Sequence, residues 1–218
     1  VSLSLFWALL VCPLAGPTEH RIEPSDDVWV YTFASDQTAD KYLRVWGDEN
    51  GSVSPIIEGS LTFSYSCLRF ELPAGLKPET VSAARLVLTH VGDAGFDEDT
   101  AKANPIEARA LSATFKESDW DVSMAQKVHP LIGEEALFGT GWSVPTQDER
   151  PFKVVVDLMK GPGDFRAALA QGMKSDRSLV LALATRMNPQ GAGESNIYKF
   201  FSRHNEPELR PVLELTTD

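Results

Sequence analysis

YKFFSRHNEPELRPVLELT, residues 198–216, reads as two β-strands around a polar turn. Phe200 and Phe201 close the first strand. Asn205, Glu206 and Pro207 supply turn chemistry, since asparagine tolerates left-handed angles and proline fixes its own φ. Pro211 stands at the mouth of the second strand, where a missing N–H does least harm, and Val212, Leu213 and Leu215 follow it. The spacing predicts a hairpin. A chain that closes on an apolar strand pairs that strand inside a sheet, so the residues upstream are expected to supply its partners.

They do so as a series of short alternating runs. In residues 28–33, Val28, Val30 and Thr32 share one face and Trp29, Tyr31 and Phe33 the other. Residues 42–46 place Leu43 and Val45 opposite Tyr42, Arg44 and Trp46. SYSCLRFEL (residues 64–72) alternates Leu68, Phe70 and Leu72 with Cys67, Arg69 and Glu71. Further strands are expected over 81–91, 106–111, 152–158 and 179–184. Residues 161–172, GPGDFRAALAQG, predict the one clear helix: Asp164 as N-cap, Phe165 and Leu169 on one face, and Gly172 as a left-handed cap. Residues 92–104 form an acidic loop. Residues 119–150 are long and irregular, a length that inside a domain signals function or concealed short elements. Short strands with loops between them and one short helix predict an all-β fold, an antiparallel β-sandwich of jelly-roll type.

The chain of 218 residues is 43% hydrophobic, enough for a domain with a core of its own. Acidic residues outnumber basic ones 31 to 20, and the net charge of −11 argues against nonspecific nucleic-acid binding. Residues 1–16, VSLSLFWALLVCPLAG, carry no charge. They resemble the end of a secretory signal, leaving residues 17–218 as a single mature domain; the alternative is a buried element of the domain itself. The run is short of the about 20 apolar residues a spanning helix needs, so no membrane span is expected in the mature chain. Cys12 would leave with the signal, and Cys67 would remain alone, with no intramolecular disulfide. Its strand setting favours burial over reactivity. This pattern fits a bacterial secreted, periplasmic or cell-surface protein. The sequon Asn50-Gly51-Ser52 matters only in a eukaryotic secretory route.

The order of these motifs resembles the DNRLRE-type domains of secreted bacterial proteins, which are related to alginate-binding-type carbohydrate-binding modules. Asp27, Trp29 and Val30 are similar to that family's opening. Leu43 and Val45 follow, then Leu68, Arg69, Phe70, Glu71 and Leu72, with Glu71 where the family carries aspartate. Ala84, Leu86 and Leu88 resemble the next strand, and residues 164–172 with Leu179 and Leu181 resemble its helix and following strand. Phe201, Ser202 and Arg203, then Arg210, Pro211 and Leu213, resemble its close; His204 stands where the family carries glutamate. The resemblance implies a noncatalytic sandwich that binds a polysaccharide.

His20, His90, His129 and His204 are scattered, with no HExxH or HxH spacing to suggest zinc. No GxSxG elbow, Walker loop or dinucleotide glycine run is present. Gly161-Pro162-Gly163 precedes the helix, but its proline lacks the N–H a phosphate needs. Glycosidases need two carboxylates about 5–10 Å apart. Asp93, Asp97, Glu98 and Asp99, or Glu134 and Glu135, offer such pairs, against the simpler reading of solvated acidic loops. Asp93, Asp97 and Asp99, with Gly92 and Gly95 nearby, are also candidates for a structural Ca²⁺ site, which takes roughly six to eight oxygens. Asp48, Glu49 and Asn50 make a weaker one. Sugar binding needs aromatic faces with fixed polar groups around them. Tyr42, Arg44, Trp46 and Arg69 are expected on faces opposite the core, with Lys199 and Arg203 on the final hairpin. Arginine suits a uronate carboxylate through paired hydrogen bonds. Arg203 has a second reading, as an anchor for the turn. The leading expectation is a secreted polysaccharide-binding module that performs no reaction, with uronate-containing polymers as candidate ligands. A structural or adhesion domain of the cell surface, and a lyase or hydrolase, are the alternatives.

Overall fold

Period-two patterning becomes eleven strands among the residues that the computed structural model describes, 16–31, 37–48, 63–146, 150–189 and 197–218. They are β1 (Thr18–Ile22), β2 (Asp26–Val30), β3 (Tyr42–Val45), β4 (Tyr65–Glu71), β5 (Val81–His90), β6 (Ile106–Ala110), β7 (Leu137–Gly141), β8 (Phe152–Asp157), β9 (Ser178–Ala184), β10 (Tyr198–Phe201) and β11 (Val212–Thr217). One antiparallel sheet holds β1, β3, β5, β8, β10 and β11; the other runs β2-β4-β9-β6-β7. From β1 to β6 the chain changes sheet at every step, the habit of a jelly-roll sandwich. Most of the expected leader (residues 1–15), Thr32, Phe33, Glu49 and the sequon at Asn50 lie outside the described residues. No helix among the described residues is long and apolar enough to cross a membrane.

The inward faces interlock in one apolar core. Leu68 and Phe70 from β4 meet Leu86 and Leu88 from β5, Leu181 and Leu183 from β9, and Phe200 and Leu213 from the C-terminal stretch. The other face of β4 is buried too. Tyr65 and Cys67 join Val28, Val30, Phe115, Ala125 and Val128 in a second cluster, which the segment after β6 covers. The Tyr65 hydroxyl donates to the Val128 carbonyl at 2.8 Å and pins that cover down. Burial pushes the Cys67 thiol well up, in keeping with an inert core cysteine. Within residues 119–150, expected as long and irregular with function or concealed short elements, Trp120, Met124, Ala125 and Val128 line the back of the second sheet and Leu137–Gly141 forms β7, its edge strand.

The predicted C-terminal hairpin does not form. β10 pairs with β3 and β5, and β11 pairs with β1 and β5. Arg85, Leu86 and Val87 pair with β11 and β8 at once, and His90 pairs with β10 and β8 at once. β8 therefore follows one side of β5, while β10 and β11 follow each other along its opposite side. The segment 202–211 is an excursion out of a nearly continuous edge. The excursion is drawn sideways at its start, where Ser202 N–H donates to the Lys41 carbonyl at 3.0 Å and Ser202 Oγ to the Asp40 carbonyl at 2.7 Å. Arg210 Nε then donates to the Asn205 carbonyl at 2.8 Å and closes it.

Among the described residues there are two α-helices, the expected one and a second, short one. α1 (Glu98–Ala103) is a short turn within the acidic loop, and α2 (Phe165–Lys174) is the predicted helix. Asp164 accepts from Ala167 N–H at 3.0 Å, and Phe165 and Leu169 are buried on one face. Gly172 does not end α2. It is buried inside the helix, and the left-handed residue beyond the end is Arg177, at φ 57°. Gly172 is required because a Cβ there would strike the Ser178 carbonyl oxygen of β9. Gly172→Ala is expected to push α2 off the sheet at a cost of about 1–3 kcal/mol, read from the shift in urea midpoint.

Candidate functional site

β3 and β10 bring four of the expected ligand-binding residues together. Their register pairs Leu43 with Phe200 and Val45 with Tyr198, and these four fill the core. Alternation then sends Tyr42, Arg44, Lys199 and Phe201 to the opposite face, where Tyr42 pairs with Phe201 and Arg44 with Lys199. Trp46 lies one step beyond, bridged to Ser64. All five side chains are half-buried.

Aromatic rings and cations interleave here. The Arg44 guanidinium lies 4.6 Å from the centroid of Trp29 and 5.8 Å from that of Tyr42. Lys199 Nζ lies 4.1 Å from the Tyr42 centroid, and the Tyr42 and Phe201 rings are 5.6 Å apart. Tyr31 stacks on Trp29 and meets Trp46 edge-on at 4.9 Å. Asp40 organises the near end: it accepts from Trp29 Nε1 at 3.1 Å and Tyr42 N–H at 3.0 Å, and pairs with Arg44. Lys199 has no such carboxylate; among the described residues it makes no ion pair. Desolvation, then the nearby Arg44 charge, holds its ammonium below the usual lysine range. Two like charges facing each other across strands weaken a sheet, a cost that the Arg44–Asp40 pair and the Lys199–Tyr42 contact offset.

Arg69 and Arg203 stand elsewhere, and both are engaged within the fold. Arg69 points with Tyr65 and Cys67 to the back of the second sheet and is buried. It donates to Ser25 Oγ at 2.9 Å, Asp26 at 3.0 Å and Asp176 at 3.3 Å. Against the desolvation of burial, Glu117 N–H, Ser25 and Arg69 together hold the Asp26 carboxyl below its ordinary value. Arg203 anchors the excursion, as its second reading held, but through carboxylates and not turn carbonyls. Its N–H donates to Asp27 Oδ2 at 2.6 Å and its Nε to Glu117 Oε2 at 2.6 Å. His204 Nε2 meets Glu117 Oε1 at 2.7 Å. Asp27 is 1% exposed; desolvation pushes its carboxyl up to about 7, and the neighbouring Glu117 charge adds to the rise.

The expected calcium ligands are not gathered. Asp93 accepts from Gly95 N–H at 3.1 Å in a turn whose Gly95 is left-handed, at φ 67°. Asp97 caps α1 by accepting from Thr100 N–H at 2.9 Å, and Asp99 lies exposed in the helix's first turn. Among the described residues, the one group of three side chains placed to share an ion is Asp27, Glu117 and His204. Sequence spacing missed it because Asp27 and Glu117 are 90 residues apart and only the excursion's detour adds His204. An open cleft of about 460 Å³ beside α2, β9 and the end of β6 has, among the described residues, Asp176 as its one ionisable wall residue, and Asp176 is already tied to Arg69 and Ser178.

The chain matches no protein-family model and no curated protein at a significant level.

Proposed function

We propose that the chain is a secreted, noncatalytic module that binds an acidic, uronate-containing polysaccharide along the outer face of β3 and β10. The observation that carries this is the facing pair Arg44 and Lys199 beside the half-buried rings of Tyr42 and Phe201, with Trp29 buried behind Arg44 and Trp46 packed against the core. In a chain of net charge −11, two adjacent cations of which only Arg44 is paired with a carboxylate form a local anion site. Aromatic faces receive the apolar side of a pyranose ring, while the guanidinium and ammonium groups meet its carboxylate through charge-assisted hydrogen bonds. The resemblance to carbohydrate-binding modules points the same way.

Asp27 and Glu117 favour the rival reading, a lyase or hydrolase, because they are a carboxylate pair. However, they are buried together with ligand atoms within 4.8 Å and held by Arg203 and His204, whereas glycosidase carboxylates flank an open bond. Affinity gels containing polygalacturonate, alginate or a neutral glucan test the proposal. Retention is expected on the polyuronates only, and weaker in high salt. Lys199→Ala is expected to lower polyuronate affinity about ten-fold or more, because it removes a charge-assisted bond, and to change Tm little, because the relieved like-charge contact with Arg44 offsets the lost contact with Tyr42. A folded protein that passes every acidic gel unretarded refutes binding; turnover of any of these polymers refutes the noncatalytic reading.

A further inference from the structure

We propose that Asp27, Glu117 and His204 form a binding site for a divalent transition-metal cation of the zinc type. The three come from separate parts of the chain: β2, the turn at Glu117–Asp119, and the 202–211 excursion. Their ligand atoms lie within 4.8 Å of one another. Two carboxylates with an imidazole are a borderline donor set, suited to zinc and its neighbours and poorly suited to calcium, which takes oxygens alone.

The hydrogen bonds engage Glu117 Oε1 and His204 Nε2 with each other and leave one oxygen of Asp27 without a partner among the described residues. Arg203 holds Asp27 Oδ2 through its N–H and Glu117 Oε2 through its Nε. Asp27 is 1% exposed, yet its Oδ1 accepts no hydrogen bond from the described residues. Glu117 Oε1 faces His204 Nε2 at 2.7 Å, so a single proton lies between them. A cation would take the place of that proton. Tetrahedral bonds of about 2.0–2.1 Å set the ligand atoms about 3.3 Å apart, so the contact need open only slightly. His204 can move that far, because its side chain is 30% exposed, and the same exposure leaves room for a water as fourth ligand. Arg203 then acts as an outer clamp that orients both carboxylates. The charges agree: two carboxylates less one guanidinium leave a single negative charge to receive a dication.

The test uses the full chain, stripped of metal with EDTA and dialysed. Titration with ZnCl₂ by calorimetry is expected to show one equivalent bound, and CoCl₂ to give the visible absorption bands of a tetrahedral site. His204→Ala and Asp27→Asn, each confirmed folded by circular dichroism, are expected to weaken zinc binding about ten-fold or more and to change the cobalt spectrum. Zinc binding unchanged in both folded variants, no zinc binding by the wild type, or displacement of zinc by equimolar CaCl₂ would each overturn the assignment.

Discussion

Glu117→Ala is expected to lower the unfolding free energy by about 3–5 kcal/mol in metal-free buffer at neutral pH. The side chain is 9% exposed and receives Arg203 Nε at 2.6 Å and His204 Nε2 at 2.7 Å. Its removal leaves the Arg203 guanidinium half-sheltered, with its side-chain ion pair broken. Loss of one partner from a largely sheltered pair costs more than the pair contributes, because Arg203, 33% exposed, regains only part of its hydration. One effect opposes this: Asp27 loses the like charge that Glu117 placed beside it. That relief is smaller, since desolvation is the leading cause of the Asp27 shift and persists in the variant. Glu117→Gln retains an acceptor and is expected to cost less, about 1.5–3 kcal/mol, the range for a hydrogen bond to a charged group. Urea unfolding with an unchanged m-value reads both. A Glu117→Ala midpoint within about 0.5 kcal/mol of wild type would mean that the carboxylate is solvated and the excursion held by other contacts.

What was legible in the sequence is what short-range alternation encodes. SYSCLRFEL forms β4 because Leu68 and Phe70 fall on one face, and Tyr42, Arg44 and Lys199 could be placed outward by counting in twos from Leu43, Val45 and Phe200, whereas Trp46, just beyond β3, packs against the core. The unread elements depend on distant partners. β1, TEHRI, is an edge strand that is largely exposed, so it has no apolar period; β11 alone makes it a strand. β7, LFGTG, carries two glycines that strand propensity disfavours. They are there because a Cβ at Gly139 or Gly141 would strike the Asp157 or Val155 carbonyl of β8. α1 is too short to show a helical period, although its Asp97 cap with acidic Glu98 and Asp99 behind it is a readable start signal. The hairpin failed for a related reason. Turn residues mark where a chain reverses or detours, but not whether another strand, here β5, supplies the pairing on either side. Alternation also could not show that Arg69 and Arg203 are engaged within the fold: both faces of the second sheet near β4 are covered, and Arg203 meets Asp27 and Glu117 only because the excursion carries it there.

His90 is expected to make the wild type lose stability, relative to His90→Gln, as pH falls from about 6.5 to about 4. The imidazole is fully buried. Nε2 accepts Lys199 N–H at 2.9 Å, which places the proton on Nδ1, donated to the Val91 carbonyl at 2.6 Å. Phe152 stacks on the ring at 4.8 Å, with Phe96, Tyr198 and Phe200 around its edges. Desolvation in this aromatic box pulls the folded-state pKa down from 6.5 to about 4. Below pH 6.5 the unfolded chain takes up a proton that the native ring refuses, so stability declines with falling pH until the folded pKa is reached. The full difference is about 3 kcal/mol. Asp27 acts in the opposite direction. Its folded pKa of about 7 lies above the unfolded 3.8, so through most of the same window the native state holds the extra proton and gains stability as pH falls. The two contributions are of similar size, so the wild-type profile alone is expected to be shallow between pH 4 and 6.5. Glutamine at position 90 can still accept from Lys199 N–H but does not titrate, so the variant is expected to be the less stable protein at pH 7 and to close the gap on acidification. Urea midpoints of both proteins in EDTA across this range give the difference directly, and the His90 ring-proton shift by NMR gives the pKa independently. A constant difference between the two proteins, or a ring titrating near 6.5, would place His90 in contact with water and remove the aromatic box from the account.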